Sequence, residues 1–437
     1  MNRSLRNLSI VLAALALAGC SKTKAINAPP LSSGSADFRV VAAIGTSVSA
    51  GYESGGLVVH HQRKAFPYAF AKQVGASFAI PSVTADGIPA LLRIVSLVGP
   101  VINNTGRTPG SPDNLAWPAP YNNMSVPGAV LNDVTSDSRY GNSNSAFPLI
   151  ARPTLRLGSI LDQVAKLNPT FVTFEMGANE VLGPASQGSG TPVINVATYG
   201  ALLNATLDSL AALMPNARVA IFTVPDITSL PYFTTISPRL DPTGTCRVIG
   251  PGPAPLTDND LVLLPAGGLL ANGDGVPTGC SPNAKNTALP ANLVLPAASV
   301  ASIQVAVDGY NAAIRAAATA RGYALVDLNG LLRQAAGAGF AFQGQTYTSD
   351  FVTGGLISLD GIHPTDLAHG IICNALIDAV NEKFGARVSS LNLADYATGS
   401  SSRLRPTEAE ARIPVIENPE AVYGALFDWH AAVRANP

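Results

Sequence analysis

Charge is what this 437-residue chain has least of: Asp, Glu, Lys and Arg make up 13% of it, about half the ~25% of an average soluble domain. The two signs nearly cancel, leaving a net charge of −1. Without a basic excess there is no electrostatic footprint for nucleic acid, and no acidic run marks a solvated tail. Cysteine is scarce as well, at four residues, with neither a CxxC pair nor the His/Cys spacing of a zinc site. The two tryptophans, Trp117 and Trp429, do not make a conventional aromatic platform for sugars. No lysine follows the glycine-flanked turn Gly45 to Gly51, so it lacks the cation a phosphate-binding loop needs. Internal repeats are missing too. Ala, Gly and Pro fill the space, and hydrophobic residues reach 47%, ample for one large core.

The first twenty residues form a processing segment. Arg3 and Arg6 precede an apolar stretch, Ile10 to Ala18, closed by Leu17-Ala18-Gly19-Cys20. This is too short and too early for an ordinary membrane-spanning helix. It resembles a bacterial lipobox, which implies a signal peptide over residues 1–19 and a lipid on Cys20. The plain alternative is an ordinary signal peptide with an incidental cysteine. With Ser21 next, the lipobox reading implies a lipid-anchored protein of the bacterial cell envelope, at the outer membrane. Residues 20–37, small, polar and proline-bearing, read as a flexible tether. Cys246 and Cys280 lie in glycine-rich loops and can pair in such an oxidising location. Cys373 lies in an apolar helical pattern and reads as a buried free thiol.

Beyond the tether, short apolar runs alternate with helical patterns. Phe38–Ile44, Phe171–Met176, Arg218–Val224 and Tyr323–Leu328 read as strands. Phe66–Val74 reads as a short helix, and Leu157, Ile160, Leu161, Val164 and Leu167 have helical spacing that Pro169 stops. Leu203, Leu207, Leu210 and Leu213 mark another helix, Ile303, Val307, Tyr310 and Ile314 a long one, and Leu367–Phe384 a closing one. Arg93–Ile102 reads as an extra strand in otherwise loop-like sequence. Residues 236–298, rich in Pro, Gly and Asn, read as an insertion, and residues 386–437 as a C-terminal extension with weak helical content over 421–433. Strands alternating with helices argue for a parallel sheet covered on both faces. In such folds ligands bind beyond the carboxyl ends of the strands.

Chemistry-bearing residues fall at those ends. Ser47, in Gly45-Thr46-Ser47-Val48-Ser49-Ala50-Gly51, follows the first strand on a tight turn. A serine hydroxyl needs a base to become a nucleophile. Among five histidines, His363 has the best context, in Asp360-Gly361-Ile362-His363-Pro364-Thr365. A carboxylate three residues before an imidazole, across a glycine turn, can hold one ring nitrogen and leave the other to act as base. The bland reading is a helix-start turn with a solvated histidine. His60 and His61 have no close acidic partner except Glu53 and read as surface or pocket-lining residues. His369, within a helix, and His430, in the tail, read as structural or exposed. Donors for a developing oxyanion are the Ser47 N–H, the Gly128 N–H in Val126-Pro127-Gly128, and the Asn179 amide in Gly177-Ala178-Asn179. Alone, Gly128 reads as a plain turn and Asn179 as a loop residue.

Together these four blocks resemble the SGNH (GDSL-type) hydrolases over roughly residues 38–385. Gly45–Gly51 looks like the family's first block, Asn123–Ala129 its second, Gly177-Ala178-Asn179-Glu180 its third and Asp360–Pro364 its last. The resemblance implies a flavodoxin-like three-layer α/β/α sandwich with a parallel central sheet, and no metal or organic cofactor. It implies Ser47 as nucleophile, His363 as base and acid, Asp360 as the orienting carboxylate, and Ser47, Gly128 and Asn179 as the oxyanion hole. Two positions depart from the family pattern. Thr46 stands where Asp is usual, and Glu180 follows Asn179 where Asp is usual, which predicts altered local hydrogen bonding with the chemistry kept.

The function expected is a serine esterase or lipase acting on a small-molecule or lipid ester through an acyl-Ser47 intermediate, with the membrane met through the lipid anchor and no nucleic-acid partner. A carbohydrate or cell-envelope O-acetyl esterase is the alternative within enzymes, and a non-catalytic envelope binding lipoprotein the alternative outside them. Leu261–Leu264 and Leu269-Leu270 suggest an apolar flap over an acyl pocket; the plainer reading of 236–298 is a disulfide-stapled surface loop.

Overall fold

The computed structural model describes residues 31–96, 99–143, 145–188, 193–397, 413–420 and 422–423. The signal segment, Cys20, Trp429 and His430 lie outside the described residues. Four parallel strands form the central sheet: β1 (Val41–Gly45), β2 (Phe171–Glu175), β3 (Arg218–Phe222) and β4 (Ala324–Val326), in that spatial order. Residues 122–126 run parallel along the free side of β1: the Ala43 N–H donates to the Asn122 carbonyl, the Met124 N–H to Ala43 and the Val126 N–H to Gly45. The sheet therefore switches direction of growth at β1, and the cleft beyond its carboxyl end is where a doubly wound sheet holds its ligand.

Successive strand side chains point to opposite faces, and here they enter two different cores. Ala42, Ile44, Val172, Phe174, Val219 and Ile221 pack on one side, while Val41, Ala43, Phe171, Ala220, Phe222, Ala324 and Val326 pack on the other. Strands buried on both faces read as near-continuous apolar runs rather than alternating ones, and FRVVAAI and FVTFEM are such runs apart from Arg39, Thr173 and Glu175.

Helices are named here in chain order: α1 (Ser47–Ala50), α2 (Val59–Gln62), α3 (Phe66–Gln73), α4 (Ile160–Ala165), α5 (Asn179–Ser186), α6 (Val196–Leu213), α7 (Ala297–Arg321), α8 (Leu328–Ala336) and α9 (Asp366–Phe384). On one face α4, α6 and α7 cover the sheet; Ile303, Val307, Tyr310 and Ile314 of α7 are buried as their spacing predicts, and Tyr310 stacks on Tyr199 of α6 with ring centroids 3.9 Å apart. On the other face α3 packs on α9 through Phe66 and Phe70. Helix α6 differs from its sequence pattern at the end: Leu213 is 49% exposed, and Met214, 5% exposed, takes the inward position. No described helix is long and apolar enough to cross a membrane.

Three regions depart from the sequence expectations. Residues 93–103 supply two short antiparallel strands, Arg93–Ser96 and Val101–Asn103, and Val415–Ile416 of the C-terminal extension adds a third beside Val101–Ile102. Of the extension's expected helical stretch, 421–433, only residues 422–423 are described. Within the expected tether, residues 31–37 are held: the Ser35 N–H donates to the Phe384 carbonyl, Ser32 pairs with Arg387, and Ala36 is buried.

The insertion builds a small core of its own from Ile236, Val248, Leu256, Val262, Leu270 and Val276, stapled by the Cys246–Cys280 disulfide. Leu263 and Leu264 are fully buried; Leu264 lies under Gly361. Leu264 therefore supports the turn that carries Asp360, and Leu263 is packed into the main core, so neither forms a flap. Cys373 is a buried free thiol, as its helical context predicts.

Candidate active site

Ser47 opens α1 directly after β1, a consequence of the tight turn at Gly45–Thr46. A side chain on Gly45 would meet Ser49 Oγ at 2.3 Å, so the glycine is required by close packing. Beneath the turn lies Glu175, the last residue of β2 and 2% exposed. Its carboxylate accepts the Thr46 N–H (3.1 Å), the Thr46 hydroxyl (3.0 Å) and the Ser49 hydroxyl (2.9 Å). Burial pushes the Glu175 carboxyl up against the opposing pull of those bonds. The unusual Thr46 is thus one jaw of a clamp that fixes the Ser47 turn to the neighbouring strand. Sequence reasoning missed Glu175, although a carboxylate closing an otherwise uncharged buried strand was a visible signal.

His363 and Asp360 come from the opposite side of the cleft, on the turn before α9. His363 Nε2 lies 2.8 Å from Ser47 Oγ, and Nδ1 lies 2.9 Å from Asp360 Oδ2. Asp360 Oδ1 also accepts the Ile362 N–H (2.9 Å), the His363 N–H (2.9 Å) and the Ser358 hydroxyl (3.1 Å), and Oδ2 accepts the Gly55 N–H (2.9 Å). Burial raises the Asp360 carboxyl, but the His363 charge and these bonds outweigh it, so it sits below the usual carboxylate value and stays ionised. Gly361, at φ +75°, closes the turn; a side chain there would press on the Tyr232 backbone and Leu264. The Tyr52 ring packs 4.7 Å from the His363 ring, and the Tyr423 hydroxyl donates to the Asp360 carbonyl at 3.0 Å. The C-terminal extension thus reaches the acid's turn. Ser47, Asp360 and His363 are 4%, 1% and 0% exposed, so the chain of hydrogen bonds is shielded from water.

Asn179 sits at the cleft with Ser47 and His363, and Gly128 precedes Ala129, to which Asn179 bonds. The Asn179 amide gives one N–H to the Ala129 carbonyl at 2.8 Å, and Gly128 takes φ +75°, a backbone that side chains rarely adopt. Of the two, Asn179 lines the cavity beside Ser47 and His363, and Gly128 does not. His369 is fully buried in α9 with neither ring nitrogen hydrogen-bonded, and burial pushes it down to about 4, so it is neutral and structural. His61 is buried as well, between Glu53 and a second carboxylate, Asp366.

Glu180 holds the loop at Leu131 by accepting its N–H at 2.6 Å, while among the described residues its other oxygen is enclosed without a partner. The residue keeps some exposed surface, but the carboxyl end is what titrates, and burial pushes it up to about 7. The folded protein therefore binds more protons than the unfolded chain between about pH 4.5 and 7, so stability falls as pH rises through that window. Glu180→Gln is expected to remove that loss, at most about 3 kcal/mol at pH 8. Urea midpoints at pH 5 and pH 8 measure it. Asp133, pushed up to about 6 by burial, leaves a shallower slope of the same sign in the variant. A wild-type midpoint that rises from pH 5 to pH 8 contradicts this account.

A cavity of about 100 Å3 adjoins the hydroxyl, and apart from Thr46, Ser47, Asn179 and His363 its lining is apolar. Helix α8 presents Leu328, Leu331, Leu332 and Ala335, and α9 presents Ala368, Ile371 and Ile372. Sequence reasoning named no helix over 328–336, although the spacing 328, 331, 332, 335 is one helical face. No residue of the 236–298 insertion lines the cavity.

The chain is similar to solved structures of a GDSL-lipase-like protein from Parabacteroides merdae (10% identity, TM-score 0.36, covering 79% of this chain and 97% of that one), of an extracellular lipase from Streptomyces rimosus (14%, 0.35, 78% and 98%), and of phospholipase A1 from Streptomyces albidoflavus (14%, 0.34, 78% and 98%). Likeness at this level does not bear on substrate. No curated protein matches the sequence. The model of the GDSL-like lipase/acylhydrolase family matches residues 41–376, and with that match over a parallel α/β sheet the chain belongs to this family of ester-bond hydrolases.

Proposed function

We propose that the protein hydrolyses carboxylic esters of aliphatic acids through an acyl-Ser47 intermediate. The observation that carries the reading is the unbroken chain from Ser47 Oγ to His363 Nε2 and from His363 Nδ1 to Asp360 Oδ2. In the first half-reaction His363 Nε2 takes the hydroxyl proton as Ser47 Oγ bonds to the acyl carbon. The carbonyl π pair moves onto oxygen, where the Ser47 and Gly128 N–H groups and the Asn179 amide are the donors. Collapse expels the alcohol oxygen, which takes the proton from His363. Water then repeats the sequence, giving its proton to His363 and its oxygen to the acid, and Ser47 leaves with that proton. Asp360 holds the Nδ1–H tautomer throughout and stabilises the imidazolium.

The apolar lining supports an aliphatic acyl chain over acetate on a sugar, because burying CH2 groups there is worth about 0.8 kcal/mol each and an acetyl group leaves those side chains without contacts. A graded series of p-nitrophenyl alkylphosphonates tests both points. The adduct is expected on the Ser47 peptide by mass spectrometry, forming faster for hexyl than for methyl phosphonate. Labelling on another residue would refute Ser47 as nucleophile; equal rates for the two chain lengths would refute the acyl pocket. The lipid anchor at Cys20 and the outer-membrane location remain part of the proposal, resting on Leu17–Ser21.

A further inference from the structure

Behind the His363–Asp360 turn lies a second cluster that this chemistry does not use. Glu53 comes from the hairpin of residues 52–57, His61 from α2 and Asp366 from the first turn of α9; they are 3%, 8% and 7% exposed. His61 Nδ1 lies 2.9 Å from Asp366 Oδ1 and 3.1 Å from Glu53 Oε2, and the three atoms lie within 4.8 Å of one another. Only the Asp366 contact is a hydrogen bond. Among the described residues Glu53 Oε2 is enclosed with no hydrogen-bond partner. One Nδ1–H serves one acceptor, so with His61 bonded to Asp366 the Glu53 Oε2 faces the cluster without a hydrogen-bonded proton from His61. Among the described residues neither pairs with a lysine or arginine. Leaving a buried carboxylate oxygen unpaired costs several kcal/mol.

We infer that Glu53, His61 and Asp366 form a binding site for one divalent cation, with Zn2+ the best match. One imidazole and two carboxylates suit a borderline metal better than Ca2+ or Mg2+, which take oxygen ligands in larger number. Ligands about 2.1 Å from one ion sit roughly 3.0–3.4 Å apart in octahedral or tetrahedral geometry, and the two N···O separations are already 2.9 and 3.1 Å. The ion takes the place of the Nδ1 proton, which leaves to solvent, and gives Glu53 Oε2 its missing partner. His61 lies beside exposed His60, ring to ring at 4.0 Å, which marks the side open to water. The site's role is structural. Glu53 immediately precedes Ser54 and Gly55, whose N–H groups hold Ser358 and Asp360, and Asp366 follows His363 by three residues. An ion there ties together the two segments that position the acid.

Calorimetric titration of the tag-free full chain, stripped with EDTA, tests the site with Zn2+, Mn2+ and Ca2+ separately. One Zn2+ per chain is expected, with a raised Tm, and Ca2+ is expected to bind far more weakly. Glu53→Gln should lower zinc affinity by about 100-fold or more, since even residues that only support a ligand cost 10–100-fold. In EDTA the same variant should melt no lower than wild type, because it removes an unpaired buried carboxylate. His61→Asn provides a second test if the first variant folds poorly by circular dichroism. Uptake of less than half an equivalent of zinc by wild type, an undiminished affinity in both variants, or preference for Ca2+ would each overturn the assignment.

Discussion

Ser47→Ala is expected to lower kcat/KM for a chromogenic ester by about 10⁴- to 10⁶-fold while leaving the fold and substrate binding in place. The substitution removes one oxygen from a residue that is 4% exposed and that, among the described residues, makes no other side-chain bond than that to His363 Nε2. The Thr46–Glu175 and Ser49–Glu175 bonds that hold the turn do not involve the Ser47 side chain. Stability should therefore change by about 1 kcal/mol or less, the scale of one hydrogen bond. Activity left over would come from the oxyanion donors and from holding the ester near water. A variant within ten-fold of wild type would remove the acyl-enzyme route altogether.

The second large effect is Asp360→Asn, for which a loss of about 10³- to 10⁴-fold in kcat is expected. The geometry says which way the amide must sit. Oδ1 accepts the Ile362 and His363 N–H groups and the Ser358 hydroxyl, so only the carbonyl oxygen of Asn fits there. The NH2 group is then forced onto the Oδ2 position, facing the Gly55 N–H and His363 Nδ1. Donor meets donor at Gly55. At His363 the ring must turn Nδ1 into an acceptor and place its proton on Nε2, where it can no longer take the Ser47 proton. Two readouts follow together: kcat falls at near-constant KM, and stability drops by about 1–3 kcal/mol for the unpaired Gly55 N–H. The kcat loss should shrink as pH rises and hydroxide ionises the serine directly. A loss confined to KM would instead assign Asp360 to substrate binding.

Much of this was legible in the chain because the relevant physics is local. A doubly covered parallel strand is apolar along most of its length, so β1, β2 and β3 stood out. Helix α7 showed its buried stripe at 303, 307, 310 and 314 because that face meets the sheet. Asp360 and His363 are close in sequence, and a glycine at φ +75° between them leaves few other ways for the carboxylate to point. What was not legible depends on partners far apart in the chain. Thr46 could not reveal that its hydroxyl bonds Glu175, 129 residues away. His61 read as a solvated or pocket residue because its carboxylate, Asp366, comes 305 residues later. The leucines of the insertion looked like a flap since apolarity alone does not say which surface they cover.

The sequence by itself determined the alternation of strands and helices, the family blocks, and the residue types at Ser47, Gly128, Asn179, Asp360 and His363. The alternation follows from periodicity and the blocks from their resemblance to the family, both of which a linear reading can see. Only the tertiary structure decided that His363 faces Ser47 at 2.8 Å, that α8 and α9 line the cavity, and that Glu53, His61 and Asp366 meet behind the acid. The reason is the order of the sheet. It brings the carboxyl ends of β1 and β2 and the turn before α9 to one edge. The contacts there depend on which strands are neighbours and on the two cores that fix the helices against them, neither of which is written in any single stretch of the chain.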